Sequence, residues 1–352
     1  MSLKTVCVPV ASFSALQLVS VAVWLAFCSG CVSRSESDVV VYSALDEDFA
    51  APILAAFERS TENEVGVIGK YDIESTKTVG LANQLIAEAD APRCDLFWNN
   101  EIMHTVRLQK LGILEPHGWQ VPSTWPQDMV ASDGTWCGFA ARARVLLINT
   151  DLLPSIDERP TRVNELADPK WEQNCAMARP LFGTTATHFA VLRDIIGKEK
   201  TLELLQSIHD NAVVLSGNKQ VAQAVSSGKV AWGLTDTDDA IIEKDLGYPV
   251  EIIYPDQQPE QPGTLRIPNT LAILKNAPHP VAAGKLADFL MTPEIEDRLA
   301  MGRSSQLPIS KESKFPPAVL PSEPVRWMRV DFEAAAEDWD AWAKTLADLF
   351  AN

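Results

Sequence analysis

The sequence predicts an α/β protein of two lobes, each a mostly parallel sheet flanked by helices, on three observations. Short apolar runs alternate with amphipathic stretches in the order β-α-β-α-β from Val39 to Trp98, the pattern of a sheet covered on both faces. The chain has 352 residues, and the roughly 320 that remain after a leader exceed what one core usually serves. Two polar clusters, Thr184 to Thr187 and Asp236 to Asp239, each follow an apolar run, where open α/β sheets hold ligands.

The elements follow in order. Residues 5 to 27 carry no charge and end in Phe27, Cys28, Ser29, Gly30 and Cys31 before a polar stretch, which reads as a secretory leader over 1–30 and a tether over 31–37. A membrane anchor is the alternative, because the apolar length approaches that of a bilayer span. Val39 to Tyr42 is an expected strand. Asp46 to Phe57 is a helix with Phe49, Ile53, Leu54 and Phe57 on one face. Val65 to Ile68 and Asp95 to Trp98 are strands around a helix over Thr78 to Glu88. Val145 to Asn149 is a central strand, Val163 to Asp168 a short helix, and residues 255–263 a proline-rich connector. Val230 to Trp232 reads as a short buried strand, left through Gly233, with a helix around Ala240 to Ile242. Thr270 to Leu274 is a strand, Pro280 to Met291 a helix, and Val330 to Phe350 a single closing amphipathic helix.

Charge and cysteines set limits. The formal net charge is −17, which argues against nucleic acid as a partner, since that binding needs a basic surface. A few local donors still allow an anionic ligand. Outside the leader stand Cys31, Cys94, Cys137 and Cys175, and in an oxidising compartment Cys137 with Cys175 is a candidate disulfide. No zinc spacing occurs after the leader.

Two motifs carry candidate chemistry. From Pro180 to His188, Gly183 permits a tight turn, and Thr184, Thr185 and Thr187 bring hydroxyls to a helix start that suits phosphate, phosphonate or carboxylate. An ordinary threonine cap is the simpler alternative, although a cap needs one hydroxyl. Asp236, Asp238 and Asp239 suit a cation or ammonium group, or helix capping. Arg142 and Arg144 suit either a cleft anion or pairing with nearby carboxylates. Glu74, ahead of the helix entry at Thr78, suits ligand contact or capping.

Val41 to Ser43, Tyr71 to Leu81, Asp95 to Trp98, Arg142 to Val145, Pro180 to His188, Gly233 to Asp239, Tyr254 to Asp256, Ile267 to Asn269 and Gln306 to Pro308 resemble, in their order and spacing, the ferric-iron type of bacterial ABC-transporter solute-binding protein. Ser29, Gly30 and Cys31 resemble a lipobox, with Cys28 where Leu is usual. The resemblance implies the type II periplasmic-binding-protein fold: lobe 1 over 38–134, lobe 2 over 135–267, and a return to lobe 1 with a closing helix over 268–352. It implies an interlobe cleft with contacts from Tyr42, Asn99, Arg142, Thr184, Thr185 and the aspartates, a permease partner, a monomer, and a lipid on Cys31 in the periplasmic or extracytoplasmic space.

The best-known members of that family carry two adjacent tyrosines where Asp238 and Asp239 stand here. The expected cargo is therefore a phosphonate- or phosphate-bearing zwitterion, with Fe(III) as the alternative. No cofactor is expected. No G-x-S-x-G, H-E-x-x-H or P-loop is present, so catalysis is not expected, a metal-dependent hydrolase being the alternative from another class.

Overall fold

The computed structural model describes residues 38–72, 79–123 and 125–350. The expected leader, tether and lipidation site Cys31, and also Glu74 and Thr78, lie outside the described residues. The first strand, β1 (Val39–Ser43), pairs in parallel with β2 (Val67–Tyr71) and with β3 (Leu96–Asn99). Helices α1 (Glu47–Ser60) and α2 (Val79–Ala87) make the crossovers. On α1 the spacing of Ala50, Ile53, Leu54 and Phe57 puts all four on the buried face. Ile53, Leu54 and Phe57 each contribute roughly 1.5–3 kcal/mol by burial.

Next come α3 (Met103–Lys110), the two-residue β4 (Leu114–Glu115), and β5 (Trp136–Asn149). Every residue of β5 is buried, as its nearly unbroken run of apolar and small side chains requires. The second half is built from β6 (Cys175–Ala178), α4 (Gly183–Ile196), α5 (Lys198–Asn211), β7 (Val213–Leu215), α6 (Asn218–Ser226), β8 (Trp232–Asp236), α7 (Thr237–Asp245) and β9 (Val250–Ile253). The chain then returns through β10 (Arg266–Leu274), α8 (Pro280–Leu290), α9 (Pro293–Met301), α10 (Phe332–Ala335) and α11 (Trp339–Leu349).

The sheet order is β2-β1-β3-β10-β5-β8-β6-β7, with β4 on β10 and β9 on β5. One long strand therefore serves both halves. Residues 136–143 of β5 pair antiparallel with β10, and Arg144 to Ile148 pair antiparallel with β8. The ladder slips between Pro268 and Asn269, opposite Ala140, whose φ is +33°. The Glu296 carboxylate accepts the Ala140 N–H at 2.7 Å, and the Asn269 amide donates to the Ala140 carbonyl. These side chains hold a conformation that a non-glycine residue rarely adopts.

Several expectations change. The proposed Cys137–Cys175 bridge does not form: Cys94, Cys137 and Cys175 are free and buried. Cys175 lies level with Trp232 and so with Ile148 on β5, whereas Cys137 sits eleven residues back along that strand, about 36 Å at strand rise. The strand read at Val230 to Trp232 begins at Trp232 and runs to Asp236. Gly233 is required inside it, since a Cβ there would lie 2.5 Å from Val221 Cγ1 and 2.9 Å from the Ala176 carbonyl. The single closing helix is two, broken where Asp338 adopts a left-handed φ of +51°.

Candidate functional site

A cavity of about 710 Å³ opens between the two halves of the sheet. One wall comes from the start of α1 (Asp46, Asp48, Phe49), from Asn100 after β3 and from Arg303 after α9. The other comes from the turns that follow β6, β7 and β8, which lie in parallel, so the wall forms at their carboxyl ends. Arg142 reaches the same space from β5.

Beneath the second wall is a closed polar network. Arg144 Nη1 lies 2.6 Å from Asp236 Oδ1, with both side chains almost wholly excluded from solvent (0% and 2% exposed). Asp236 Oδ2 accepts from the Thr184 hydroxyl at 2.5 Å and from Asn218 Nδ2 at 2.9 Å. The Thr185 hydroxyl donates to Asn218 Oδ1 at 3.0 Å and accepts from Arg144 Nη2 at 3.1 Å. Asp236 stands at the N-cap of α7, yet its side chain makes no capping bond. The carboxylate is committed to Arg144 and its neighbours, not to the helix.

Nearer the cavity, Arg142 Nη1 lies 3.1 Å from Asp238 Oδ2, with 8% and 13% of these side chains exposed. Burial opposes the Arg142 charge, but Asp238, Asp236 and Asp239 outweigh it and raise its pKa. One carboxylate oxygen from each of Asp236, Asp238 and Asp239 lies within 4.8 Å of the others. Hard cations accept such oxygen sets. Both arginines thus pair with carboxylates, and Arg142 also lines the cavity.

The sequence-derived contacts divide. Gly183, Thr184, Thr185, Asp236, Asp238, Asp239 and Arg142 line the cavity. Tyr42 does not: it is buried, donates to Glu88 Oε2 at 3.0 Å, and accepts from Gln84. Burial and then Glu88 raise its pKa, which opposes a phenolate. Asn99 is also buried, donating to Glu101 and Thr105, and its neighbour Asn100 faces the cavity in its place. Thr187 turns away to donate to Glu101 Oε2 at 3.0 Å. His188 is buried with neither ring nitrogen hydrogen-bonded, and burial, followed by Arg144, holds its pKa well below the usual 6.5. No tyrosine lines the cavity among the described residues.

Sequence reasoning missed Asn218, Arg179, Lys219 and Arg303, all of which line the cavity. Asn218 had a signal, because Gly217 and Asn218 open a helix directly after β7. Arg303 had none. It follows α9 by two residues and reaches the cleft only through tertiary packing.

Comparison with known proteins agrees with this architecture. Residues 95–335 match the family described as bacterial extracellular solute-binding protein. The Fe(3+)-binding periplasmic protein of Serratia marcescens is 26% identical over 225 residues, covering 64% of this chain and 64% of that protein's length. The ferric binding protein of Campylobacter jejuni superposes with a TM-score of 0.78 at 19% identity, covering 89% of this chain and 99% of that one. The periplasmic binding protein AfuA of Actinobacillus pleuropneumoniae, with exogenous fructose-6-phosphate bound, gives 0.75 at 18% identity over 90% of this chain and 99% of that one. These structures share the two-lobed type II periplasmic-binding-protein fold expected from the sequence. With the matched segment spanning well over half of the sequence, the chain belongs to the bacterial extracellular solute-binding protein family.

Proposed function

We propose that this protein is the solute-capture component of an ABC importer of the iron(III) type, and that its cargo is ferric ion. The observation that carries the reading is the pair of carboxylates of Asp238 and Asp239, which line an open cavity just past the carboxyl end of β8, with the Asp236 carboxylate within 4.8 Å of both. Fe(III) is a hard cation that favours anionic oxygen donors. With no tyrosine at the cavity among the described residues, Asp238 and Asp239 are the donors that replace phenolates. The Serratia and Campylobacter proteins, both named for ferric binding, support the cargo. This reading displaces the phosphorylated zwitterion favoured by sequence alone.

Capture works by closure of the two halves over the cavity, since a ligand stabilises a closed form only through contacts to both walls. Asp46, Asp48 and Arg303 face the aspartates from the other side. The protein delivers its cargo unchanged to a membrane permease, acts as a monomer, and is tethered outside the cytoplasm through a lipid on Cys31. Among the described residues no helix is long and apolar enough to cross a membrane.

A second reading, a phosphate-bearing solute, is favoured by Arg142, Arg179, Lys219 and Arg303 around the same cavity and by the sugar-phosphate complex of AfuA. A thermal-shift titration separates the two, because ligand raises the melting temperature only where it prefers the folded state. Fe(III) citrate should raise it, and a chelator should cancel the rise. A chelator-insensitive rise with fructose 6-phosphate or an aminoalkylphosphonate would select the second reading, and no rise with any of them would overturn both.

A further inference from the structure

We infer that Asp236 is a built-in anion: its carboxylate occupies the donor cluster of Arg144, Thr184 and Asn218, so that no free oxyanion binds there and cargo meets Asp238 and Asp239 instead. The inference rests on the reading of the cleft as a cargo site and deepens it by assigning Asp236 to specificity, not to ligation.

The first support is a count of protons. A threonine hydroxyl has one proton to donate. That of Thr184 goes to Asp236 Oδ2, and that of Thr185 goes to Asn218 Oδ1. Asn218 Nδ2 is shared between Thr184 Oγ1 at 2.8 Å and Asp236 Oδ2 at 2.9 Å. Arg144 shares the two protons of Nη1 among Asp236, Thr184 and Asn218 and directs Nη2 to Thr185, while its buried Nε–H has no acceptor. An incoming phosphate or carboxylate would find the two threonine hydroxyls and the Asn218 amide already engaged.

Charge and space agree. Arg144 is the cation that would attract an oxyanion to this corner, and Asp236 already neutralises it at 2.6 Å. An added anion would meet the Asp236 charge in a dry environment, where repulsion is strong. Arg144, Asp236, Thr184 and Thr185 are all buried, and the Asp236 carboxylate fills the place between the Arg144 guanidinium and the Thr184 hydroxyl. The cleft therefore selects for positive charge at Asp238 and Asp239 without needing a companion anion at the threonines.

The test omits cargo, so its failure and the failure of the ferric reading are separate events. Melting temperatures of the wild type, Asp236→Ala and Asp236→Asn are compared in chloride, formate and inorganic phosphate at equal ionic strength. The wild type and Asp236→Asn, whose side chains fill the niche, should be indifferent. Asp236→Ala should melt about 10 °C lower and regain a large part of that loss in about 50 mM formate, since the small carboxylate re-enters the vacated place. If Asp236→Ala folds only when formate is present, the inference is equally supported. If it folds in neither salt, the indifference of the other two proteins carries the inference. A formate- or phosphate-driven rise in the wild type would overturn it, as would a folded Asp236→Ala that ignores formate.

Discussion

Two arginines, two residues apart on β5, each meet an aspartate at the start of α7, and the pairs behave differently. Arg144 and Asp236 are sealed from solvent and joined to Thr184, Thr185 and Asn218. Arg142 and Asp238 are longer by 0.5 Å in their contact, 3.1 Å against 2.6 Å, and reach the cavity. Strand alternation puts both arginines on one face of β5, and only depth separates them. The comparison shows how one charge motif, repeated once along a strand, supplies both a rigid floor and an exchangeable contact.

The largest expected effect falls on the sealed pair. Arg144→Met leaves Asp236 buried without its counter-ion and should cost about 3–5 kcal/mol, read from urea denaturation; a loss below about 1 kcal/mol would erase the distinction between the pairs. Arg142→Gln should cost only about 1–2 kcal/mol, between the exposed and buried cases. It should tighten ferric binding about tenfold by removing the competing Arg142 cation from Asp238, a change of about 1.4 kcal/mol measurable by calorimetric titration. Weaker ferric binding would mean that Arg142 holds Asp238 in its ligating position.

The smallest effect concerns pH. Burial, and then the charge of Arg144, depress the folded-state pKa of His188 well below 6.5, so the unfolded chain takes up the proton first as pH falls. Stability from this group is fully present above about pH 6.5 and declines below it, by at most about 1.4 kcal/mol per pH unit. His188→Phe should flatten that decline, measured as melting temperature between pH 7 and pH 5. An unchanged slope would show that the acid sensitivity lies elsewhere, with buried His104 as the comparable group.

Much of the scaffold was legible in the sequence because its cause is local. Alternating apolar periods placed β1, α1, β3, β10 and α8 within a few residues, and the threonines and aspartates were found where strands hand over to helices. The misses have longer-range causes. β5 is fourteen residues long and fully buried, yet the central part around Arg142 and Arg144 carries charges whose partners lie about ninety residues away in sequence. Tyr42 and Asn99 sit in the right strands but turn into the interior, toward Glu88 and Thr105. Asp338 breaks the closing helix through a backbone conformation that composition does not announce.

The place of β10 has a consequence for how the chain is made. It lies between β3 and β5, with Thr270 level with Asn99, so the sheet nearest the amino terminus lacks its central strand until translation has passed residue 274. Contacts so distant along the chain form slowly, after a large loop has closed. A nascent chain that ends before Arg266 therefore keeps one edge of β3 and residues 136–143 of β5 without their partner strand, and the first half stays open until most of the polypeptide exists.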